Sequence, residues 1–272
     1  MSIVTISHAA YSGGGAIAEK VAAALNYRSI DREVLLEAHR RYGIPEAKYT
    51  EVLETEGRWW ERWVESLRLY RITLQAAMCE VAQGGNLVYH GRAGQEFFPG
   101  ISHVLRVLVL APLEYRIEQV RAQKGMTADD ARHFLKELDR VRSRRLRALF
   151  NIDWQDPLTY DLVLNTARVS IDSAAQVIAD MVRRPEFQPT PQSEKAFQDL
   201  TTTARVQAAL ITSPKTRNVI LNVRSDGGEV YISGILADPE LEKEITQIAK
   251  SVPGVSRVVT DIEPPPIEYM HP

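Results

Sequence analysis

A single cysteine, Cys79, stands among 272 residues, so no intrachain disulfide forms and nothing calls for an oxidising compartment. Its apolar helical surroundings mark it as a core residue. Neither sign of charge dominates: 33 Lys and Arg against 35 Asp and Glu leave a formal net charge of -2, which gives no general attraction to nucleic acid or anionic lipid. No apolar run reaches the ~18 residues that a membrane helix needs. The opening MSIVTISHAA also lacks the basic start and long apolar core of a secretory signal. These absences predict a cytoplasmic protein with no nucleic-acid partner and no integral membrane contact. No set of His, Cys and acidic residues has zinc-site spacing. What remains, 44% hydrophobic and 25% charged residues, is ordinary for a globular protein, and the length suits two modest domains.

The order of elements divides the chain. Up to about Val182, strands at 2–7, 28–30, 86–90, 104–110 and 160–165 alternate with helices at 15–26, 31–42, 58–83, 112–124, 127–149 and 170–183. That order builds a parallel sheet covered on both faces. Pro112 suits a first helical position, and Thr127 with Asp130 has N-cap spacing. RRPEFQPTPQSE, from Arg183 to Glu194, holds three prolines and no apolar period, which predicts a stiff linker over 184–196. Beyond it a helix at 196–212, strands at 217–224 and 228–235 joined at Asp226-Gly227-Gly228, a helix at 238–251 and a strand at 255–263 form a smaller sheet with two helices on one face. The domains are therefore 1–183 and 197–264, followed by a tail over 265–272.

HAAYSGGGAIA, residues 8–18, lies between the first strand and the first helix. Glycines let successive amides converge on an anion, and the helix adds the positive end of its dipole, so Ser12, Gly13, Gly14 and Gly15 are the candidate phosphate cradle. The complete phosphate-loop pattern asks for glycine where His8 stands, lysine where Gly14 stands and a hydroxyl where Ala16 stands. A tight turn with no ligand is the alternative.

Several further segments, in order, resemble the cytidylate-kinase-like branch of the P-loop nucleoside monophosphate kinases: ISHAAYSGGGAIAEKVA, SIDREVL with Asp31-Arg32-Glu33, Gly43 to Glu46, LVYHGRAGQEFFPGISHVLRVLVLAPLEYRIEQV and ELDRVRSRRLRALFNIDWQDPLTYDLVLNT. The resemblance covers about residues 1–183. It implies an α/β fold, a P-loop kinase-like parallel sheet with helices on both faces, and the use of ATP and Mg2+ to phosphorylate a nucleoside monophosphate. It places Arg92, in His90-Gly91-Arg92, on the arginine that approaches the acceptor phosphate, with His90 and Ala93 where the family has acids. Asp139 and Arg142 fall on the second half of the family's Arg-Asp-x-x-Asp-x-x-Arg lid motif, and Leu135 and Lys136 occupy the first half. Arg145, three residues on, shares a helical face with Arg142. Arg92, Asp139, Arg142 and Arg145 are thus the candidate catalytic set. Asp31 is the candidate for acceptor binding and for metal contact through water, or else a helix N-cap.

Guanidinium groups suit phosphate because they grip two oxygens and stay charged. Losing the loop lysine removes one charge-assisted bond of ~1.5–3 kcal/mol, which binding survives. A transition-state cation is worth ~10³–10⁵ in rate, so chemistry is the more exposed. The alternative function is a catalytically impaired relative that senses nucleotide. The tryptophans of GRWWERWVESLRLY, Trp59, Trp60 and Trp63, suit core or contact packing, with base stacking as the second reading. His90 is either a backbone-satisfied strand end or a phosphate contact, and His8 is equally open.

Residues 198–263 resemble a BON domain through Val206-x-x-Ala-Leu, Val219-Ile-Leu-Asn-Val, Gly228-Glu-Val-Tyr-Ile-Ser-Gly and Val252-Pro-Gly-Val. The resemblance implies a small α+β module that is not catalytic, of a kind associated with membrane or lipid contact and, in cytoplasmic proteins, with small-molecule sensing, assembly into a homo-oligomer or contact with a protein partner. Its acidic helix DPELEKEITQIAK argues against electrostatic attachment to anionic lipid.

Overall fold

The computed structural model describes residues 2–31, 33–45 and 60–264, the side chains of 60–66 excepted. Trp59, Arg32, Glu46 and the 265–272 tail lie outside these residues, as do the side chains of Trp60 and Trp63, so the base-stacking reading falls outside them too.

The first strand, β1 (Ile3–His8), is buried on both faces and sits at the centre of a five-stranded sheet. Its partners are β2 (Arg28–Ile30), β3 (Leu87–Gly91), β4 (Val104–Leu110) and β5 (Leu162–Asn165), in the order β2-β3-β1-β4-β5 and all parallel. Val4 and Ile6 point to one face with Val88, Leu105 and Val107, where they meet helices α1 (Gly14–Leu25) and, late in the domain, Ile171–Val182. Ile3, Leu87, Tyr89, Val104 and Leu108 face the opposite layer. The alternation of strand side chains thus feeds two cores.

The second layer contains α2 (Glu33–Tyr42), α3 (Trp60–Ala82) and α5 (Ala128–Phe150); α4 (Leu113–Lys124) lies against α5. Thr127 caps α5 by accepting from the Asp130 amide, as its spacing predicts. Pro112 is the N-cap of α4 rather than its first helical residue. Numbering the Ile171–Val182 helix α6, the next is α7 (Pro191–Thr212).

Helix α7 begins five residues before the expected 196. Pro191 has no amide to lose at N1, and Thr190 and Ser193 form a reciprocal capping box. The proline-rich stretch before it folds into a 3-10 turn, Pro185–Phe187. Helix α7 is shared by two cores. Phe197, Ala204, Ala208 and Ile211 recur at heptad-like spacing and bury themselves in the layer that holds α3. Val206 and Leu210, on its other side, join Val223, Val230, Ile232, Ile245 and Ala249 in the small C-terminal core.

That core is covered by a three-stranded sheet of β6 (Leu221–Asp226), β7 (Glu229–Ile235) and β8 (Arg257–Glu263), with α8 (Pro239–Ser251) beside α7. The hairpin between β6 and β7 falls at Gly227-Gly228, as expected. Strand β6 starts later than 217 because the chain turns through Ser213–Val219, where the Thr216 hydroxyl donates to the Leu210 carbonyl. A nearly buried carboxylate, Glu80 on α3, accepts from Arg205 on α7 and from Arg41 on α2, fastening the second unit to the first. Among the described residues no helix is long and apolar enough to cross a membrane.

Candidate functional site

In a sheet of this order the chain reverses its winding direction beside β1, and the crevice opens beyond the carboxyl ends of β1 and β3. His8 ends β1, and the 8–16 loop follows it. Tyr11 and Gly13 turn the loop with positive φ, 61° and 83°, and α1 starts at Gly14. The amides of Gly14, Gly15 and Ala16 form its first turn, where no earlier carbonyl stands in helical register; Gly13 supplies no side-chain cap and no acidic residue occupies the turn. Ser12 is used differently. Its hydroxyl and its amide both donate to the Ala9 carbonyl, and its own carbonyl accepts from Thr166, so it braces the loop from inside.

His8 folds back over this turn. A Cβ at position 14 would overlap the Cβ and Cγ of His8 and come within 2.8 Å of its Cδ2. The glycine at the lysine position and the histidine at the first-glycine position therefore depend on one another: the ring occupies the space through which a side chain at 14 would leave the backbone. Burial lowers the His8 pKa to about 4, with the positive charge of Arg142, then His90 and Arg92, adding to it, so the ring is neutral near pH 7.

Beyond β3 the chain crosses tightly under the same crevice. A Cβ at Gly91 would overlap the Tyr89 hydroxyl and lie 2.7 Å from its Cζ, so glycine lets the backbone pass. The Tyr89 hydroxyl then donates to the Arg92 carbonyl at 3.0 Å, and Ala93 follows with a φ of 58°. This fixes the backbone beneath Arg92, whose guanidinium has no hydrogen-bond or ion-pair partner among the described residues.

Arg142 reaches the crevice from α5. It is 7% exposed, lies over the Trp154 ring at 4.3 Å and donates to the His8 carbonyl. Trp154 is itself held by its indole N-H, which donates to Ser143 at 2.9 Å. Burial, with Arg92 second, lowers the Arg142 pKa to about 10, which still leaves it charged at neutral pH. Its Nε has no partner, and among the described residues no carboxylate pairs with it.

Asp31, Arg92 and Arg142 line one cavity of about 260 Å³ together with His8, Tyr89 and Phe150. The rest of the anticipated set lies apart. Asp139 does not make the ion pair with Arg142 that its spacing along the helix suggests, but accepts two hydrogen bonds from Arg116, at 3.0 and 2.6 Å, and acts on Arg142 only through its charge. Arg145 lies one turn beyond Arg142, half-buried, and is not among the cavity's lining residues. Asp31 is exposed; its amide donates to Glu33, and among the described residues it is the acidic residue lining the cavity. Arg116, Tyr89 and Trp154 are not legible in the sequence because their roles depend on partners 3 to 106 positions away. Arg116 carried one signal, a basic residue on α4 with its carboxylate on α5. His90 lies 3.6 Å from Glu19, which also accepts from Ser29, so it is engaged at the edge of the crevice.

Among the described residues no group of three or more His, Cys, Asp or Glu side chains could hold a metal. Asp31 alone matches how Mg2+ is usually kept, by one or two carboxylates together with water and ligand phosphates. The open amides and the unpaired, buried guanidinium match a polyphosphate.

A family model described as the cytidylate kinase-like family matches residues 3–168, and a BON domain model matches residues 198–264. The cytidylate kinase of Methanopyrus kandleri is 30% identical over 107 residues, 36% of this chain and 55% of its own length. That of Methanocaldococcus jannaschii is 29% identical over 105 residues and 59% of its length, so the chain spans just over half of these two relatives. The cytidylate kinase of Pyrobaculum calidifontis is 25% identical over 183 residues, 67% of this chain and 93% of that protein. A crystal structure of an uncharacterized protein from Eubacterium ventriosum covers 66% of this chain and 97% of its own, with a TM-score of 0.52 and 20% identity, which speaks for the fold alone. With the family model spanning most of the first domain and the crevice built where its segments meet, the chain belongs to the cytidylate kinase-like family.

Proposed function

We propose that this crevice binds nucleotides: the amides of Gly13 to Ala16 take the β- and γ-phosphates of ATP, and the adjoining cavity takes a nucleoside monophosphate. The observation that carries the reading is the convergence of Arg92 and Arg142, two cations without a carboxylate partner, on a cavity beside an uncapped helix N-terminus. Arg142 bridges the two halves, because it holds the loop through the His8 carbonyl and faces the cavity. In the transfer itself, a phosphate oxygen of the acceptor bonds to the γ-phosphorus, the bond from that phosphorus to the β,γ-bridging oxygen breaks, and ADP leaves. Mg2+, when bound, offsets charge on the donor phosphates. Asp31 would meet it through water, Arg92 would orient the acceptor, and Asp139 would act through Arg116 to hold α5 over the crevice. Ser12 and Arg145 would shape the loop and the helix without touching phosphate. The BON module would supply ligand sensing or contact with another protein or another copy.

A second reading has its own support: His8 fills the path of a loop lysine, so the chain would bind nucleotide and turn it over poorly, acting as a nucleotide-responsive sensor through its BON domain. Thermal denaturation with ATP, CMP and Mg2+, run beside a phosphotransfer assay, separates the two. A ligand at 100 times its Kd adds about 2.7 kcal/mol of stability. A shift with turnover supports the transferase, a shift without turnover supports the sensor, and no shift with any nucleotide ends both. Arg92→Ala is expected to weaken CMP by at least tenfold and ATP much less; equal loss of both would place Arg92 elsewhere.

A further inference from the structure

A second cavity, of about 420 Å³, lies where the C-terminal unit meets the first, within the ~300–1,000 Å³ range of small-molecule sites. Helix α3 presents Arg68 and Arg71 to it, one turn apart. Arg68 donates to the carbonyls of Val219, at 2.8 Å, and Arg217, at 3.4 Å, so it is fixed in place by the segment leading into β6. Among the described residues neither arginine is paired with a carboxylate. Burial and then the neighbouring charge of Arg71 hold the Arg68 pKa below its usual range. Among the described residues Glu96 is the one acid lining the cavity; burial raises its pKa, and the arginine acting on it is Arg106. The rest of the wall mixes the polar Gln75, Gln207 and Thr216 with apolar side chains, among them Phe150, which also lines the first cavity, Leu210, and Ile220 at the rim, 79% exposed.

We infer that this inter-unit cavity is a binding site for a small organic anion with an apolar body, its charge received by Arg68 and Arg71 and its body lying against Phe150, Leu210 and Ile220. The phosphate cavity is walled by residues of the first unit alone, Val34, Leu35, Leu74 and Leu146 among them, whereas this one takes Leu210 and Ile220 from the second unit, so the two are built from different surfaces. The inference stands apart from the nucleotide reading, since neither pair of cations serves the other's cavity.

Anilinonaphthalene sulfonate, a fluorescent anion with an aromatic body, is a suitable probe for the full chain without nucleotide. One saturable site is expected, weakened at least tenfold by Arg71→Glu and by Ile220→Asp. Both positions are exposed, so thermal unfolding should show these variants folded. Arg121→Glu, an equal charge change on α4, and Arg92→Ala, in the first cavity, should leave the affinity as it was. Absence of saturable binding, equal binding by Arg71→Glu and Ile220→Asp, or loss through Arg92→Ala instead would each overturn the inference.

Discussion

A side chain at position 14 has no exit while His8 lies over it, and this pair of residues decides what the loop can carry. Gly14→Ala should cost about 1–3 kcal/mol, the usual penalty of overpacking. His8→Gly should cost stability by itself, yet remove most of the Gly14→Ala penalty. Urea denaturation of both single variants and the double variant would expose this as non-additivity above ~1 kcal/mol; strict additivity would mean the two side chains do not collide. His8 also sets a pH dependence. Its folded pKa, about 4, lies below the unfolded value of 6.5, so between these values the unfolded chain binds more protons and stability drops as the pH is lowered. The loss should begin near pH 6.5, reach roughly 3 kcal/mol and level off below pH 4. His8→Asn should flatten that part of the pH profile.

Among the elements, α5 and α7 carry the most consequence for their local contacts. Asp139 neutralises Arg116, which is 6% exposed and donates to Ala10 of the loop. Asp139→Ala leaves that cation buried without its counter-charge, and the cost should approach ~3 kcal/mol by denaturant titration. Loss of nucleotide affinity beyond what stability explains would mean that α5 positions the loop. At the start of α7, Ser193 serves both the capping box and His103, whose Nδ1 lies 2.8 Å from its hydroxyl. Ser193→Ala should cost ~1–2 kcal/mol, more than Thr190→Ala, because it removes a cap and a buried partner together.

For the whole molecule, Glu80 joins the two units through Arg205 and also holds Arg41. Breaking a buried pair from one side costs ~3–5 kcal/mol, and partial exposure of Arg205 puts Glu80→Ala near the low end. Because α7 contributes to both cores, the two units should unfold together. Separate calorimetric transitions in the wild type would contradict that, whereas in Glu80→Ala a split transition is the expected outcome. The Arg205 guanidinium also donates to the Pro253 carbonyl at 3.2 Å, so the same variant should loosen the turn after α8, readable as faster amide exchange there.

Much of this was legible without coordinates because it is periodic or local. Apolar runs at 3–6 and 104–110, amphipathic helices between them, the Thr127 cap and the Gly227-Gly228 hairpin are each written within a few neighbouring residues. The phosphate-like loop and the convergence of Asp31, Arg92 and Arg142 were reachable through an ordered set of motifs. The partnership of Asp139 with Arg116 was not, since a helix offers a carboxylate several cations and only the packing of α4 on α5 chooses among them. Nor was the bridging role of α7, whose two apolar stripes look like one helix of one domain until two cores claim them. The sequence by itself determined the elements, their order and the chemistry present at the strand ends, because those depend on short-range pattern. Tertiary structure alone decided which charges meet, that His8 takes the room of a lysine, and that a cavity opens between the units, because each depends on surfaces brought together from distant parts of the chain.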